Sequence, residues 1–415
     1  MNLTNISTVS RIIIDTTRRC NLNCWYCHST SGHNYKGPEI DPACIPEVFD
    51  TAERLKVFEI TITGGEPTLW MGLPLLMKES YRLNFTKLQL ITNATAITSK
   101  MIYLLKRANL SRVCVSLDGI ERIHIKNRGS GMYEQTIAGI QKLREAVDNI
   151  TVISVLDNLS YPYWPELTEI LIRLGVKQHH LAPVCFAGNA MNQYKGLSEQ
   201  NFLEVREQIA KISTILPEGF LIAFHDSLVN GLPSRYMPIS TFTEKFKGWH
   251  IVIRPTGLVT MSVRAWGRSW RVNETIGNIN HTPLSEILEG YSDKVKSALQ
   301  TKFSQEEEMK RKFHLKNVSE LVVLKDMEDV QNIEKDNLVI VDQSAQESNP
   351  NFTYVIPSVL GVDLQALQTS IKTNLDRYRF RREDGFGLFF DTVTFNVYIL
   401  NKEEMIALGL GVVTV

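Results

Sequence analysis

The chain has no excess of either charge: 45 Lys and Arg stand against 45 Asp and Glu in 415 residues. No global field therefore draws it to nucleic acid or to an anionic membrane surface, and neither partner is expected. Long apolar runs are missing near the N-terminus. The only one there, Ile12 to Ile14, is far too short for a secretory signal or a membrane span, so a cytoplasmic protein is expected. Cysteine is scarce, six in all, and none follows Cys185. Three of the six crowd into residues 20–27, which argues for metal binding over a disulfide framework. There is no internal repeat and no low-complexity tract. What remains is ordinary globular composition, 43% hydrophobic, in a chain long enough for more than one structural unit.

Short apolar runs at 11–15, 58–63, 87–92, 112–118, 151–156 and 178–183 read as strands. Amphipathic helical patterns lie between them at 73–83, 99–108, 133–146 and 164–174. Another helix opens at Asp41-Pro42, an N-cap followed by proline in the first turn. Six successive βα units predict an α/β fold, a parallel sheet wrapped by helices. Right-handed crossovers would curl it into a partial TIM-like (β/α)6 barrel, with function at the C-terminal ends of the strands. Past about residue 190 the pattern weakens. A helix at 199–216 is clear, short Gly-rich strands follow to about 290, a charged run covers about 292–335, and a strand-rich tail closes the chain. The expected division is a barrel core over 1–235, a small extension over 236–295, a charged linker or helix over 296–335, and a C-terminal α+β region over 336–415.

Cys20, Cys24 and Cys27 sit just after the first strand. Thiolates are soft ligands suited to iron–sulfur clusters. Three of them can hold three irons of a cubane and leave the fourth open to a small molecule. A structural zinc site would want four protein ligands. His28 could complete such a set, although Cys27 and His28 are adjacent and would make a cramped pair. Cys44 and Cys114 read as packing residues. Cys185 lies near the barrel mouth and is a structural residue or a hydrogen-atom donor.

The CxxxCxxC loop, with an aromatic at Tyr26, resembles the radical S-adenosylmethionine (SAM) superfamily. Further motifs follow in the family's order. Thr63-Gly64-Gly65-Glu66-Pro67 looks like the GGEP segment, which holds the SAM amino group. Ile91-Thr92-Asn93-Ala94 is similar to the segment ending strand three, and Ser116 and Arg128 fall where relatives contact SAM. Leu181 is a candidate for lining the adenine pocket. The resemblance implies one [4Fe–4S] cluster on Cys20, Cys24 and Cys27 that reductively cleaves SAM, with a flavodoxin or ferredoxin as reductant. The residue chemistry agrees: Gly64 and Gly65 let backbone approach a ligand closely, Glu66 offers a carboxylate to an ammonium, and Arg128 offers a fork to a carboxylate.

Residues 253–259, Ile-Arg-Pro-Thr-Gly-Leu-Val, and Gly277-Asn278-Ile279 resemble the SPASM extension of peptide-modifying radical SAM enzymes. The departure is that no ligand cysteine is present; Ser262 stands where one would follow the hairpin. The extension therefore reads as a cluster-free scaffold. Residues 380–401 look like the β-meander of peptide-recognition elements, which take up a leader peptide as an extra strand. A small sheet packed on the barrel is the other reading. The expected substrate is a ribosomally made precursor peptide, crosslinked or epimerised. The alternatives are a small molecule or nucleotide substrate, and a non-catalytic iron–sulfur or zinc module.

Overall fold

The computed structural model describes residues 9–184, 188–192, 196–224, 250–264, 271–291, 293–294, 377–383, 386–393, 397–400, 405–406 and 408. Cys185, most of the charged run and most of residues 336–415 lie outside them.

Six βα units follow one another: β1 (Arg11–Asp15), α1 (Ile45–Arg54), β2 (Glu59–Thr63), α2 (Leu73–Glu79), β3 (Lys87–Thr92), α3 (Ser99–Leu105) and β4 (Leu110–Ser116) open the series. Then come α4 (Glu121–Arg128), α5 (Met132–Leu143), β5 (Ile150–Leu156), α6 (Trp164–Arg173), β6 (Gln178–Pro183), α7 (Glu199–Ile212) and β7 (Leu221–Phe224). Asp41 caps a 3-10 turn at Pro42–Cys44 that runs straight into α1, as the Asp-Pro pair predicts. Two elements escape the sequence reading. α4 is short and presents only Ile123, His124 and Asn127 to the interior, and β7 is half exposed, so neither shows a clear apolar period.

All strands from β1 to β7 pair in parallel, in chain order. β8 (His250–Ile253) joins the other flank of β1, also in parallel, and continues into the antiparallel β9 (Leu258–Arg264) and β10 (Arg271–Asn278). The result is one open ten-stranded sheet, a partial barrel with β10 and β7 at its two ends. The 253–259 motif is thus a hairpin continuous with the core sheet. Gly257 turns it at φ +79, where a Cβ would meet the Asn278 side chain at 2.5 Å. The short helix α8 (Leu284–Ile287) is tied to the core through its first N–H groups, which donate to Glu47 of α1.

Side chains alternate along each strand. Ile12, Ile14, Ile60, Ile62, Leu88, Leu90, Val113 and Val115 are fully buried against the helices and form the core. Each such burial contributes about 1.5–3 kcal/mol. The opposite set lines the inner face and is polar low in the barrel. Glu59 accepts from Arg11 at 2.9 Å and from Thr61 and Gln89 at 2.5 Å each, and Gln89 accepts twice from Arg112, at 2.9 and 2.6 Å.

The tail forms a separate antiparallel sheet of β11 (Tyr378–Glu383), β12 (Phe386–Asp391) and β13 (Val397–Leu400). It docks at the N-terminal end of the barrel strands. Phe390 stacks on Phe58 with centroids 5.3 Å apart, and Arg381 donates to the carbonyls of Val9 and Lys56. Gln178, the first residue of β6, donates to the Val393 carbonyl.

Candidate active site

The cysteine loop hangs from the C-terminal end of β1. Its base is closed by Cys20 N–H to the Gly32 carbonyl and Gly32 N–H to the Arg18 carbonyl. The Gly64-Gly65-Glu66 segment, leaving β2, runs against residues 17–19. Gly65 N–H donates to the Thr17 carbonyl and Glu66 N–H to the Arg19 carbonyl. A Cβ on Gly64 would meet Thr17 O at 2.5 Å, and one on Gly65 would meet Arg19 O at 2.3 Å. In the structure, the close approach these glycines permit is to the chain's own cysteine loop, which they press into place.

The three thiols are half-buried. Cys20 Sγ accepts from Leu22 N–H at 3.4 Å and lies 4.0 Å from Asn93 Nδ2. Cys27 Sγ has Ser31 N–H and Ser29 Oγ at 3.4 Å each. Burial pushes the Cys20 thiol up to about 12, with the Leu22 N–H opposing and Glu66 adding to the rise. Burial also raises Cys24, against the pull of Arg128. Among the described residues no three His, Cys, Asp or Glu side chains converge on a single ion position. The loop offers three soft donors, the number a cubane takes from the protein when one iron is left to another ligand; a structural zinc site would want a fourth protein ligand.

Glu66 is buried and caps the 3-10 turn Pro67–Leu69, for which Pro67 supplies the first residue. Its Oε1 accepts from Thr68 N–H, Thr68 Oγ1 and Thr92 Oγ1, and its Oε2 from Asn93 N–H at 2.7 Å. A carboxylate oxygen takes about two hydrogen bonds, so Oε2 keeps capacity for one more donor. Burial pushes Glu66 up, and these donors pull it back. Thr92 and Glu66 therefore meet, and Asn93 joins them to the loop by donating to Asn21 Oδ1 at 2.9 Å.

Arg128 is paired within the chain. Its Nε and Nη2 donate to the two oxygens of Asp118 at 2.9 and 3.0 Å, and its guanidinium stands over the Tyr26 ring. Tyr26 donates its hydroxyl to Asp118 as well. Burial alone would raise Asp118, but Arg128, His124 and Tyr26 outweigh it and hold the carboxyl below its usual range. On the same helix, Asn127 accepts from Trp25 Nε1 at 3.1 Å. α4 thus grips both aromatics of the cysteine loop. Asp118 and Asn127 are not among the expected site residues; their signal in the sequence is that they lie two and one positions from Ser116 and Arg128, which are.

Ser116 ends β4 on the inner face, half-buried, on the same side as Cys114 and Arg112. Leu181 is not brought to this site. It is fully buried with Leu156, Trp164, Phe202 and Val205, on the helix side of the sheet, because β6 turns its alternate face inward.

Residues 14–171 match the Radical SAM superfamily. Pre-heme d1 synthase of Dinoroseobacter shibae is 28% identical over 186 residues, 45% of this chain and 46% of that protein. A probable GTP 3',8-cyclase of Pyrococcus abyssi is 34% identical over 135 residues, 32% of this chain and 43% of that one. The matched stretch thus spans a little under half of these relatives. Among solved structures, Streptococcus suis SuiB bound to S-adenosylmethionine superposes with TM-score 0.51 at 16% identity, covering 61% of this chain and 60% of SuiB. The anSMEcpe protein with bound AdoMet gives 0.50 at 16% identity, covering 68% and 80%. At that identity the structures speak for the fold. Residues 14–171 of this chain are a radical SAM domain, of the superfamily that uses a [4Fe–4S] cluster and S-adenosylmethionine.

Proposed function

We propose that the chain is a radical SAM enzyme that holds one [4Fe–4S] cluster on Cys20, Cys24 and Cys27 and acts on a ribosomally made precursor peptide. The observation that carries the enzymatic reading is the loop itself: three soft ligands on one loop, braced by Glu66 through its N–H bond to Arg19 and by α4 through Trp25 and Tyr26. When bound, the cluster and SAM together supply one-electron cleavage of the sulfonium and, through it, hydrogen-atom abstraction from the substrate.

The chain's own residues hold and orient. Burial makes the Cys20 and Cys24 thiols reluctant to ionise on their own, so a cationic iron core is the partner that suits them. Glu66 Oε2 would take the SAM ammonium beside Asn93, with Gly64, Gly65, Pro67 and Thr92 keeping the carboxylate in place. Ser116 would meet the nucleotide from the inner face. Arg128 acts through Asp118, fixing Tyr26 beneath the loop. The lower barrel, filled by the Glu59–Gln89–Arg112 network, excludes water from below.

The peptide substrate is supported by the SPASM-like hairpin at β8–β9 and by the β11–β13 meander, whose fold class suits strand addition. The S. suis SuiB structure bound to its precursor peptide SuiA shares the fold at TM-score 0.50. A small-molecule or nucleotide substrate is the second reading, favoured by the relatives named for pre-heme d1 and GTP chemistry. A flavodoxin or ferredoxin would supply the electron.

Anaerobic reconstitution tests the enzymatic reading. The wild type should bind about four irons and form 5′-deoxyadenosine from SAM and dithionite. Replacing any of Cys20, Cys24 or Cys27 by alanine should abolish both. A fully loaded, SAM-cleaving alanine variant would refute it. Mass spectrometry of a precursor peptide encoded beside this chain, after co-incubation, separates the two substrate readings.

A further inference from the structure

Beyond β6, residues Gly188–Asn192 make a 3-10 turn that belongs to none of the motifs above, yet closes on the cysteine loop. Three consecutive residues touch it in three different ways. Gly188 adopts φ +57, and a Cβ there would meet the Cys27 carbonyl oxygen at 2.3 Å and that of His28 at 2.6 Å. The backbone N–H of Asn189 donates to the Cys27 carbonyl at 2.9 Å, and its side-chain Nδ2 donates to the Cys24 carbonyl at 3.1 Å. Ala190 is fully buried with Tyr26 and Val184, against Cys24 and Trp25.

The two carbonyls that Asn189 holds belong to ligand cysteines themselves. A peptide plane fixed at its oxygen also fixes the Cα–Cβ direction beside it, and so the place of the sulfur. Within the loop, Cys24 O receives only the Cys27 N–H, at 3.3 Å, a bond that turns the chain but does not anchor it to the barrel. The anchor comes from Asn189. Ordering a loop costs conformational entropy, and a brace from a rigid strand end meets part of that cost before any metal arrives.

We propose that the Gly188-Asn189-Ala190 turn is a positioning element for the [4Fe–4S] cluster, with Asn189 Nδ2 as the donor that sets the Cys24 corner. The inference rests on the cluster reading of Cys20, Cys24 and Cys27. Asn189 is a positioning residue: it acts through the Cys24 and Cys27 peptides, and the turn ties the retention of the cluster to the end of β6.

The test uses the full chain, reconstituted anaerobically, as wild type, Asn189→Ala, Asn189→Asp and Gly188→Ala. The readouts are iron content, the rate of cluster loss to a ferrous chelator, the electron paramagnetic resonance spectrum of the reduced cluster, and the thermal melt of the metal-free protein. Outer-shell partners of metal ligands typically matter by about 10–100-fold in affinity. Asn189→Ala should therefore lose its cluster roughly tenfold faster, with a changed spectrum and an unchanged melt. Asn189→Asp fills the same space but turns only acceptors toward the Cys24 carbonyl, so it should lose the cluster at least as fast as Asn189→Ala. Gly188→Ala, which collides with the Cys27 carbonyl, should be the least retentive of the three. An aspartate variant as retentive as wild type would reduce Asn189 to a space-filler and overturn the proposal. So would alanine and aspartate variants that both match wild type, and in either case the cluster reading would stand. A wild type that takes up no iron would overturn both together.

Discussion

The two ends of the barrel use hydrogen bonds to opposite purpose. At the N-terminal end, every polar side chain of the inner network meets another of the network. Arg11, Glu59, Thr61, Gln89 and Arg112 form one connected set across four strands, and the β11–β13 sheet seals the outside with Phe390 on Phe58. At the C-terminal end, side chains mostly grip backbone and loop. Glu66 accepts from the amides of Thr68 and Asn93, Asn127 accepts from the Trp25 indole, and Asn189 donates its Nδ2 to the Cys24 carbonyl. One end is closed on itself and holds the barrel together. The other uses its polar groups to fix the loop that carries the three thiols. That division is what a fold needs when chemistry is confined to one mouth.

The sharpest way to break the comparison is to damage both ends equally. Asp118→Asn leaves the Arg128 guanidinium buried beside a neutral amide, and breaking a buried pair in this way costs about 3–5 kcal/mol. Phe390→Ala removes a fully buried ring from the sealed end at a similar cost, about 3–5 kcal/mol. Chemical denaturation should show comparable losses. Iron content should then separate them, falling in Asp118→Asn, where Tyr26 is released, and staying at wild-type level in Phe390→Ala below its melting temperature. Equal cluster loss in the two variants would mean that the ends are not independent.

A smaller effect appears with pH. His124 accepts the Asp118 N–H at its Nδ1, and burial lowers its pKa to about 4 from an ordinary 6.5. The unfolded chain therefore binds a proton between pH 6.5 and 4 that the folded chain refuses, and stability falls as the pH drops through that window. The full contribution is about 3 kcal/mol. Asp15, raised to about 6 by burial despite Arg254 and Arg18, works in the opposite direction over part of the same range. The comparison must therefore be made between wild type and His124→Gln. The wild type should lose stability relative to the variant as the solution is acidified, and a constant difference from pH 7 to 4 would contradict the assignment. Glu66→Gln should cost less in stability but weaken SAM. Losing one charged hydrogen bond costs about 1.5–3 kcal/mol, or about 10–100-fold in the dissociation constant by calorimetry.

How far the sequence alone reaches follows the same division. The strands at 11–15, 87–92 and 151–156 are legible because each is a compact run rich in β-branched or long apolar residues bounded by turn signals. The cysteines and the Glu66–Thr92 meeting are legible because motif order places them at successive strand ends. What escapes is contact between distant loops. Nothing in residues 188–190 announces a brace for residues 24–28, since a glycine and an asparagine after a strand are ordinary turn residues. Arg128 reads as an open fork because its partner Asp118, ten residues earlier, sits across a turn and a helix. The docking of the tail beneath Phe58 is likewise set by packing over more than 300 residues of chain, which no local pattern encodes.

The finest distinction between the ends is electronic. Of the two donors within reach of Cys27 Sγ, the Ser31 N–H is backbone and cannot be removed by substitution, whereas Ser29 Oγ at 3.4 Å can. The Ser29 hydroxyl also meets Ser31 Oγ at 2.8 Å, and it can accept from that hydroxyl while donating to the sulfur. A donor to a ligand thiolate favours the more negative, reduced state of a cluster, so its loss lowers the potential. With a net hydrogen-bond worth of about 0.5–1.5 kcal/mol, Ser29→Ala should shift the midpoint potential by about 20–60 mV toward negative values. Chelator resistance should stay near wild type, because the Asn189 brace and the Cys27 backbone are untouched. Phe390→Ala, at the other end, should leave the potential where it was. A shift of equal size in both variants would place the tuning in the fold at large and not in the hydroxyl beside Cys27.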